Sequence, residues 1–186
     1  VAKILLKLLN AKLVSFGSTR KLNITAEDDP QVQALVEAAT DYVCIVGKSS
    51  KLHILKAIET TIDEAIAMAV DTVSYLKSKE KKVFFDAEHF FDGYKEDKEV
   101  SFQILDAVIN EGVDCFIFCD TNGGTLPSEV ISILNEIVDK YPKQQFGVHF
   151  QNDNGCAVQN SMAAVDLGIN HVQGTMHGYG ERTGNA

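Results

Sequence analysis

Residues 145–155 read QFGVHFQNDNG. Phe146, Val148 and Phe150 alternate with Gly147, His149 and Gln151, and an Asn-Asp-Asn-Gly turn follows. The period of two predicts a strand with its three apolar residues on one face and His149 and Gln151 on the other. Such a strand carries an imidazole and an amide to its carboxyl end, with Asp153 just beyond.

The same design recurs along the chain. Short apolar runs lie near 12–18 (KLVSFGS), 41–49 (DYVCIVGKS), 81–89 (KKVFFDAEH), 113–121 (VDCFIFCDT), 145–153 and 170–178 (NHVQGTMHG). Each is rich in β-branched or aromatic residues and ends in glycine or polar residues, as strands buried on both faces do. Amphipathic helix patterns separate them. DPQVQALVEAAT opens with Asp29 as N-cap and Pro30 at the first helical position. TTIDEAIAMAVDTVSYLKSKE opens with Thr61 and Glu64 in capping-box spacing. KEVSFQILDAVINEG closes on Gly112, LPSEVISILNEIVDKYP stops before Pro142, and GCAVQNSMAAVDLG closes on Gly168. The opening VAKILLKLLNAK also has helical spacing and lacks a signal-peptide cleavage pattern.

Strand and helix alternating about every thirty residues predicts a parallel sheet with right-handed crossovers. Polar residues gather at nearly every strand's carboxyl end: Ser18, Lys48, Glu88, Asp120 with Thr121, and His149 with Asp153. A (β/α)8 barrel collects all its strand ends around one site, whereas an open sheet concentrates its site at one switch point. No GxGxxG follows the first strand. The fold class expected is therefore α/β, a partial (β/α)8 TIM barrel forming a single domain over 1–186. Six strands leave an eight-stranded barrel open, so about two strand units are expected before the chain and one after it. Such a segment exposes two sheet edges and is expected to be unstable and inactive by itself.

Composition narrows the function. A net charge of −9 argues against a nucleic-acid partner, and no apolar run is long enough to cross a membrane. Cys44, Cys115 and Cys119 sit inside apolar runs and Cys156 does not; no CxxC pair is present. A reducing, cytoplasmic setting is expected, and the spacing is wrong for a structural zinc site.

Several residues carry chemistry. A neutral imidazole at His149 suits a divalent metal, and Gln151 offers a weaker carbonyl ligand. Glu88 ends an otherwise apolar strand, where a carboxylate serves as acid, base or substrate anchor, with Asp86 on the same face. The alternative for these two is pairing with lysines or backbone donors. Asp120 and Thr121 lead into two glycines that let backbone approach a ligand. HGYGERTGNA holds Glu181, Arg182, which could pair Glu181, and Asn185, another carbonyl donor.

FDAEHFFDGYK, CDTNGGTLP, HFQNDNGCAVQNSMAAV and VQGTMHGYGERTGNA together resemble the citramalate synthases, with LVSFGSTR and GKSSKLHILKAIETT similar to that branch in particular. These belong to the wider group of 2-isopropylmalate and homocitrate synthases with a pyruvate-carboxyltransferase-type TIM barrel. The resemblance implies an acyltransferase that condenses acetyl-CoA with a 2-keto acid, pyruvate being favoured, and releases CoA in branched-chain amino-acid biosynthesis. It implies a homodimer and a divalent metal held by His149, by Asn185, by the residue at Gln151, and by an Asp on a strand outside this chain. Glu88 matches a carboxylate contacting the reacting substrate and Thr121 a threonine binding the keto acid; Asp86 is expected beside the substrate. Gln151 stands where the family has a second histidine, which favours Mg2+ or Mn2+ over Zn2+. Two other functions fit the residues: an aldolase or lyase of the same barrel group, and a non-catalytic barrel with a weakened metal site.

Overall fold

The structure is a computed structural model and describes residues 10–186. The helix expected over 1–12 falls almost wholly outside those residues. Six parallel strands form one sheet: β1 (Val14–Ser18), β2 (Tyr42–Lys48), β3 (Lys82–Glu88), β4 (Cys115–Asp120), β5 (Phe146–Phe150) and β6 (His171–Gln173). They pair in sequence order, β1 to β6, with no reversal and hence no switch point. The helices are α1 (Pro30–Glu37), α2 (Lys51–Lys56), α3 (Ile62–Ser78), α4 (Phe90–Glu96), α5 (Lys98–Asn110), α6 (Pro127–Lys140) and α7 (Ala157–Asp166). Among the described residues no helix is long and apolar enough to cross a membrane.

The sheet is strongly curved. Gln173 on β6 donates from Nε2 to Asp86 Oδ1 on β3 at 2.9 Å, and the Phe84 and His171 rings of the same two strands lie 5.2 Å apart. Strands three places apart in a flat sheet are separated by roughly 14 Å. Contact between their side chains requires the sheet to roll into an arc, the half-barrel that sequential parallel strands with outer helices produce.

The two faces bury different chemistry. On the convex face, Phe85, Phe116, Phe118, Val148 and Phe150 join Phe90 and Phe91 of α4 and the apolar stripes of α3, α5 and α6 in the main core. On the concave face, Cys44, Cys115, Ile117 and Cys119 form a small cluster against Phe84. Three thiols with one isoleucine fill the narrow interior where larger side chains from several strands would collide.

Most of the expected elements form, with local differences. Asp29 caps α1 by accepting from the Gln31 N–H at 2.8 Å. Thr61 caps α3 by accepting from the Glu64 N–H, but Glu64 does not return the bond; its carboxylate pairs with Arg20 at 3.0 Å. A glutamate three residues into the helix does reach back at α6, where the Glu129 carboxylate accepts from the Leu126 N–H at 2.8 Å, and the Glu129 N–H bonds to the Leu126 carbonyl because leucine has no side-chain acceptor. β6 covers three residues rather than nine, because Gly174 and a 3-10 turn over Met176–Gly178 lead the chain back across the strand ends. Two short helices, α2 and α4, lie where the sequence pattern indicates none.

Among the described residues β1 and β6 have no outer strand partner, and on the concave side Phe16 is 66% exposed. Unpaired parallel edges beside an exposed aromatic favour association with other chains. Residues 1–186 expressed alone should therefore self-associate in light scattering. A monomer with a cooperative thermal melt would overturn that expectation.

Candidate active site

The strand register brings the polar residues to one level. Lys48 lies opposite Glu88, and Cys119 lies opposite His149, which lies opposite Gln173. Glu88 follows the Ala87–Phe118 pair by one step, which sets it level with Cys119. Alternation then turns Lys48, Glu88, His149 and Gln173 toward the concave side.

At one end of this level Glu88 and Lys48 form an ion pair, each about one-quarter exposed. The Glu88 carbonyl accepts from the N–H and hydroxyl of Ser49, which fixes the β2 and β3 ends together. Beside the pair opens a cavity of about 460 Å³, lined by Arg20, Val46, Lys48, Ile58, Met68 and Glu88 among others. Arg20 is buried and tied to α3 through Glu64 and Asp71, so its charge is spent on holding the β1 loop.

At the other end stands His149. Its Nδ1 lies 2.6 Å from Gln173 Oε1, an acceptor, a contact that the Nδ1–H tautomer satisfies. In that tautomer the lone pair sits on Nε2, which lies 3.1 Å from the Asn185 side-chain amide nitrogen. Gln151 follows two residues later, and its Oε1 is buried with no hydrogen-bond partner. Gln151 and Asn185 also form an isolated β-bridge. Asp86 is deeper, 5% exposed, with Oδ1 accepting from Gln173 and from the Cys44 thiol. Burial raises its pKa from the ordinary value, and the hydrogen bonds from Cys44 and Gln173 oppose that rise.

The glycine-rich loop is clamped over these ends. Arg182 grips Asp153 with two bonds, at 2.7 and 2.9 Å, and donates to the Thr121 carbonyl at 2.7 Å. Glu181 is farther from it, at 3.5 Å, and exposed. Asn152 N–H bonds to Gly184 O, and Ala186 N–H to Phe150 O. The Arg182 guanidinium holds Asp153 below its ordinary pKa. Thr121 accepts the His89 N–H on Oγ1 at 2.8 Å and keeps its own hydroxyl proton free to donate. Asp120 is buried beneath the loop and accepts from the Thr125 N–H; burial raises its pKa.

The sequence-derived set thus divides. His149, Gln151 and Asn185 come together, Glu88 stands with Lys48, Thr121 sits under the Arg182 clamp, and Asp86 lies one layer below the mouth. Gln173 was not singled out from sequence. Its signal was present, since it occupies the inward phase of the run at 170–178, but a strand glutamine has no chemistry of its own until its partners are known. His89 and His53 also stack, with ring centroids 3.7 Å apart, on the outer side of Glu88.

Among the described residues, no group of three or more His, Cys, Asp or Glu side chains could hold a metal ion. The available donors are instead one imidazole nitrogen and two amides, one of them with an orphaned buried oxygen. That set fits a hard divalent cation that takes its remaining ligands as oxygens.

A family model described as HMGL-like matches residues 10–186. Among curated proteins, the chain is 48% identical to (R)-citramalate synthase of Aquifex aeolicus (strain VF5) over 177 residues, covering 95% of this chain and 34% of that protein. It is 43% identical to (R)-citramalate synthase of Geobacter sulfurreducens over 180 residues, covering 97% of this chain and 34% of that protein. The chain spans about a third of the length of these relatives. Among solved structures, the Bacillus subtilis HMG-CoA lyase superposes with a TM-score of 0.78 at 19% identity, covering 93% of this chain and 58% of that one. That likeness speaks for the TIM-barrel fold alone.

Two outcomes follow from the site's geometry. Gly123 has φ +62°, and a Cβ there would collide with Asp153 Oδ2 and stand 2.7 Å from the Asp153 nitrogen. Gly123→Ala should lower stability by about 1–3 kcal/mol in a denaturant melt, and an unchanged midpoint would contradict it. The thiols give the second. Burial pushes Cys115 up to about 12 and raises Cys44 and Cys119 as well, which shrinks their thiolate fraction at any working pH. Iodoacetamide mapping at pH 8 should label Cys156 in the native protein and the other three only after unfolding. Native labelling of Cys44 would refute this.

Proposed function

The chain belongs to the HMGL-like family, and from that premise we propose that the protein condenses acetyl-CoA with pyruvate to give citramalate and CoA. The observation that carries this is the 48% identity to a citramalate synthase, sustained across the span that supplies every strand end described above. The acetyl methyl group gives up a proton, its carbon bonds to the keto carbon as the C=O π bond opens, and the keto oxygen takes up a proton to become a hydroxyl. Water then cleaves the thioester, and CoA leaves as the thiol.

His149, Gln151 and Asn185 are the residues that would hold a divalent cation, Mg2+ or Mn2+ before Zn2+. Once bound, the cation would polarise the keto carbonyl and stabilise the negative charge developing on its oxygen. The protein's own groups do the rest. His149 presents the Nε2 lone pair, and Asn185 and Gln151 contribute amide oxygens, Asn185 after rotation of its amide. Glu88, held by Lys48 beside the cavity, contacts the reacting substrate and exchanges a proton with it. Thr121 donates its hydroxyl proton to the keto acid's carboxylate. Asp86, being buried, acts on the substrate through the groups it holds. The free thiols accord with a reducing, cytoplasmic location.

The test uses the full reading frame that contains residues 1–186. Thiol release from acetyl-CoA is followed with Mg2+ or Mn2+ and pyruvate, 2-ketoisovalerate or 2-ketoglutarate in turn. Release is expected with pyruvate, and Glu88→Gln should reduce kcat by roughly 100-fold or more. A folded protein silent with all three acids would overturn the proposal.

A further inference from the structure

An amide side chain is polar in a directed way: one end donates and the other accepts. Gln173 uses both ends inside the arc. Its Nε2 donates to Asp86 Oδ1 at 2.9 Å, and its Oε1 lies 2.6 Å from His149 Nδ1. Cys44 turns its thiol toward the same Asp86 oxygen at 3.2 Å, and Gln173 Nε2 is also 3.7 Å from Cys44 Sγ.

We propose that Gln173 is a positioning residue that takes its orientation from Asp86 and imposes the Nδ1–H tautomer on His149, so that the Nε2 lone pair faces Asn185 and the mouth of the site. Turning the amide over would set Gln173 Oε1 against the Asp86 oxygen and its NH2 against the imidazole N–H. Both contacts would then be mismatched. The carboxylate therefore selects the amide orientation, and the amide selects the tautomer. The selection crosses the arc, since Asp86 is on β3, Gln173 on β6 and His149 on β5. The opposite tautomer would put a proton on Nε2, where a cation requires a lone pair. The consequence for metal binding rests on the function proposed above; the tautomer itself does not.

The experiment uses the full-length, metal-free protein with 15N-labelled histidine. Long-range 1H–15N correlation reads the His149 tautomer, with His149→Gln assigning the signal, and electron paramagnetic resonance of free Mn2+ reads affinity. Wild type should show Nδ1–H. Gln173→Met should move His149 toward Nε2–H and weaken Mn2+ binding by roughly 10–100-fold. The double variant Asp86→Asn with Gln173→Glu reverses both polarities at one contact: an amide N–H donates to a carboxylate whose other oxygen accepts from Nδ1–H. It should return the wild-type tautomer and recover Mn2+ affinity relative to Gln173→Met. A loss of packing alone would not produce that rescue. Retention of Nδ1–H and of Mn2+ affinity in Gln173→Met would overturn the proposal. If that variant fails to fold, Nε2–H in the double variant overturns it. A wild-type protein that shows the tautomer effect yet binds no Mn2+ would uphold the positioning role and overturn the metal site.

Discussion

The hydrogen bond from Gln173 to Asp86 spans the concave face of the sheet, from the sixth strand to the third. A carboxylate buried there needs donors, because leaving it bare costs far more than a hydrogen bond returns. Cys44 supplies one from the neighbouring strand, and Gln173 supplies the other from across the arc. The interaction therefore belongs to the curvature: a flatter sheet would withdraw Gln173, leave Asp86 short of a donor and release the His149 ring from its partner.

Curvature also explains the unlike faces. The convex face meets broad helices and accommodates a layer of phenylalanines. The concave face narrows, and small sulfur-bearing side chains with one isoleucine suit that space. Above them the strands end in Lys48, Glu88, His149 and Gln173, all in inward phase. The loop carrying Arg182 crosses these ends and is pinned by two-point contact with Asp153, a geometry to which the planar guanidinium is well matched. Asn185 reaches His149 because this clamp fixes the loop around it.

The two short helices show where local sequence falls short. α2 spans only six residues after the Ser50 cap, too few for a helical period to declare itself. α4 begins directly after His89, whose φ of +59° is left-handed without a glycine to announce it. His89 is buried, stacked on His53, and its N–H is taken by Thr121. These are tertiary contacts, and no local propensity encodes them. Glu64 is a similar case: its spacing from Thr61 suits a capping box, but a buried arginine from a distant loop offers a charged partner and takes the carboxylate.

The sequence by itself determined the alternation of strands and helices, the parallel sheet, the inward phase of His149 and Gln151, and the gathering of polar residues at the strand ends. Periodicity and capping are local properties, so they are written in consecutive residues. The tertiary structure alone decided that Asp86 is a buried anchor beneath the mouth, that Arg182 holds Asp153 more closely than Glu181, and that Gln173 joins Asp86 to His149. Those outcomes depend on which strands the curved sheet brings face to face. Asp86 and Gln173 lie 87 positions apart in the chain, and only the closing of the arc gives them a common hydrogen bond.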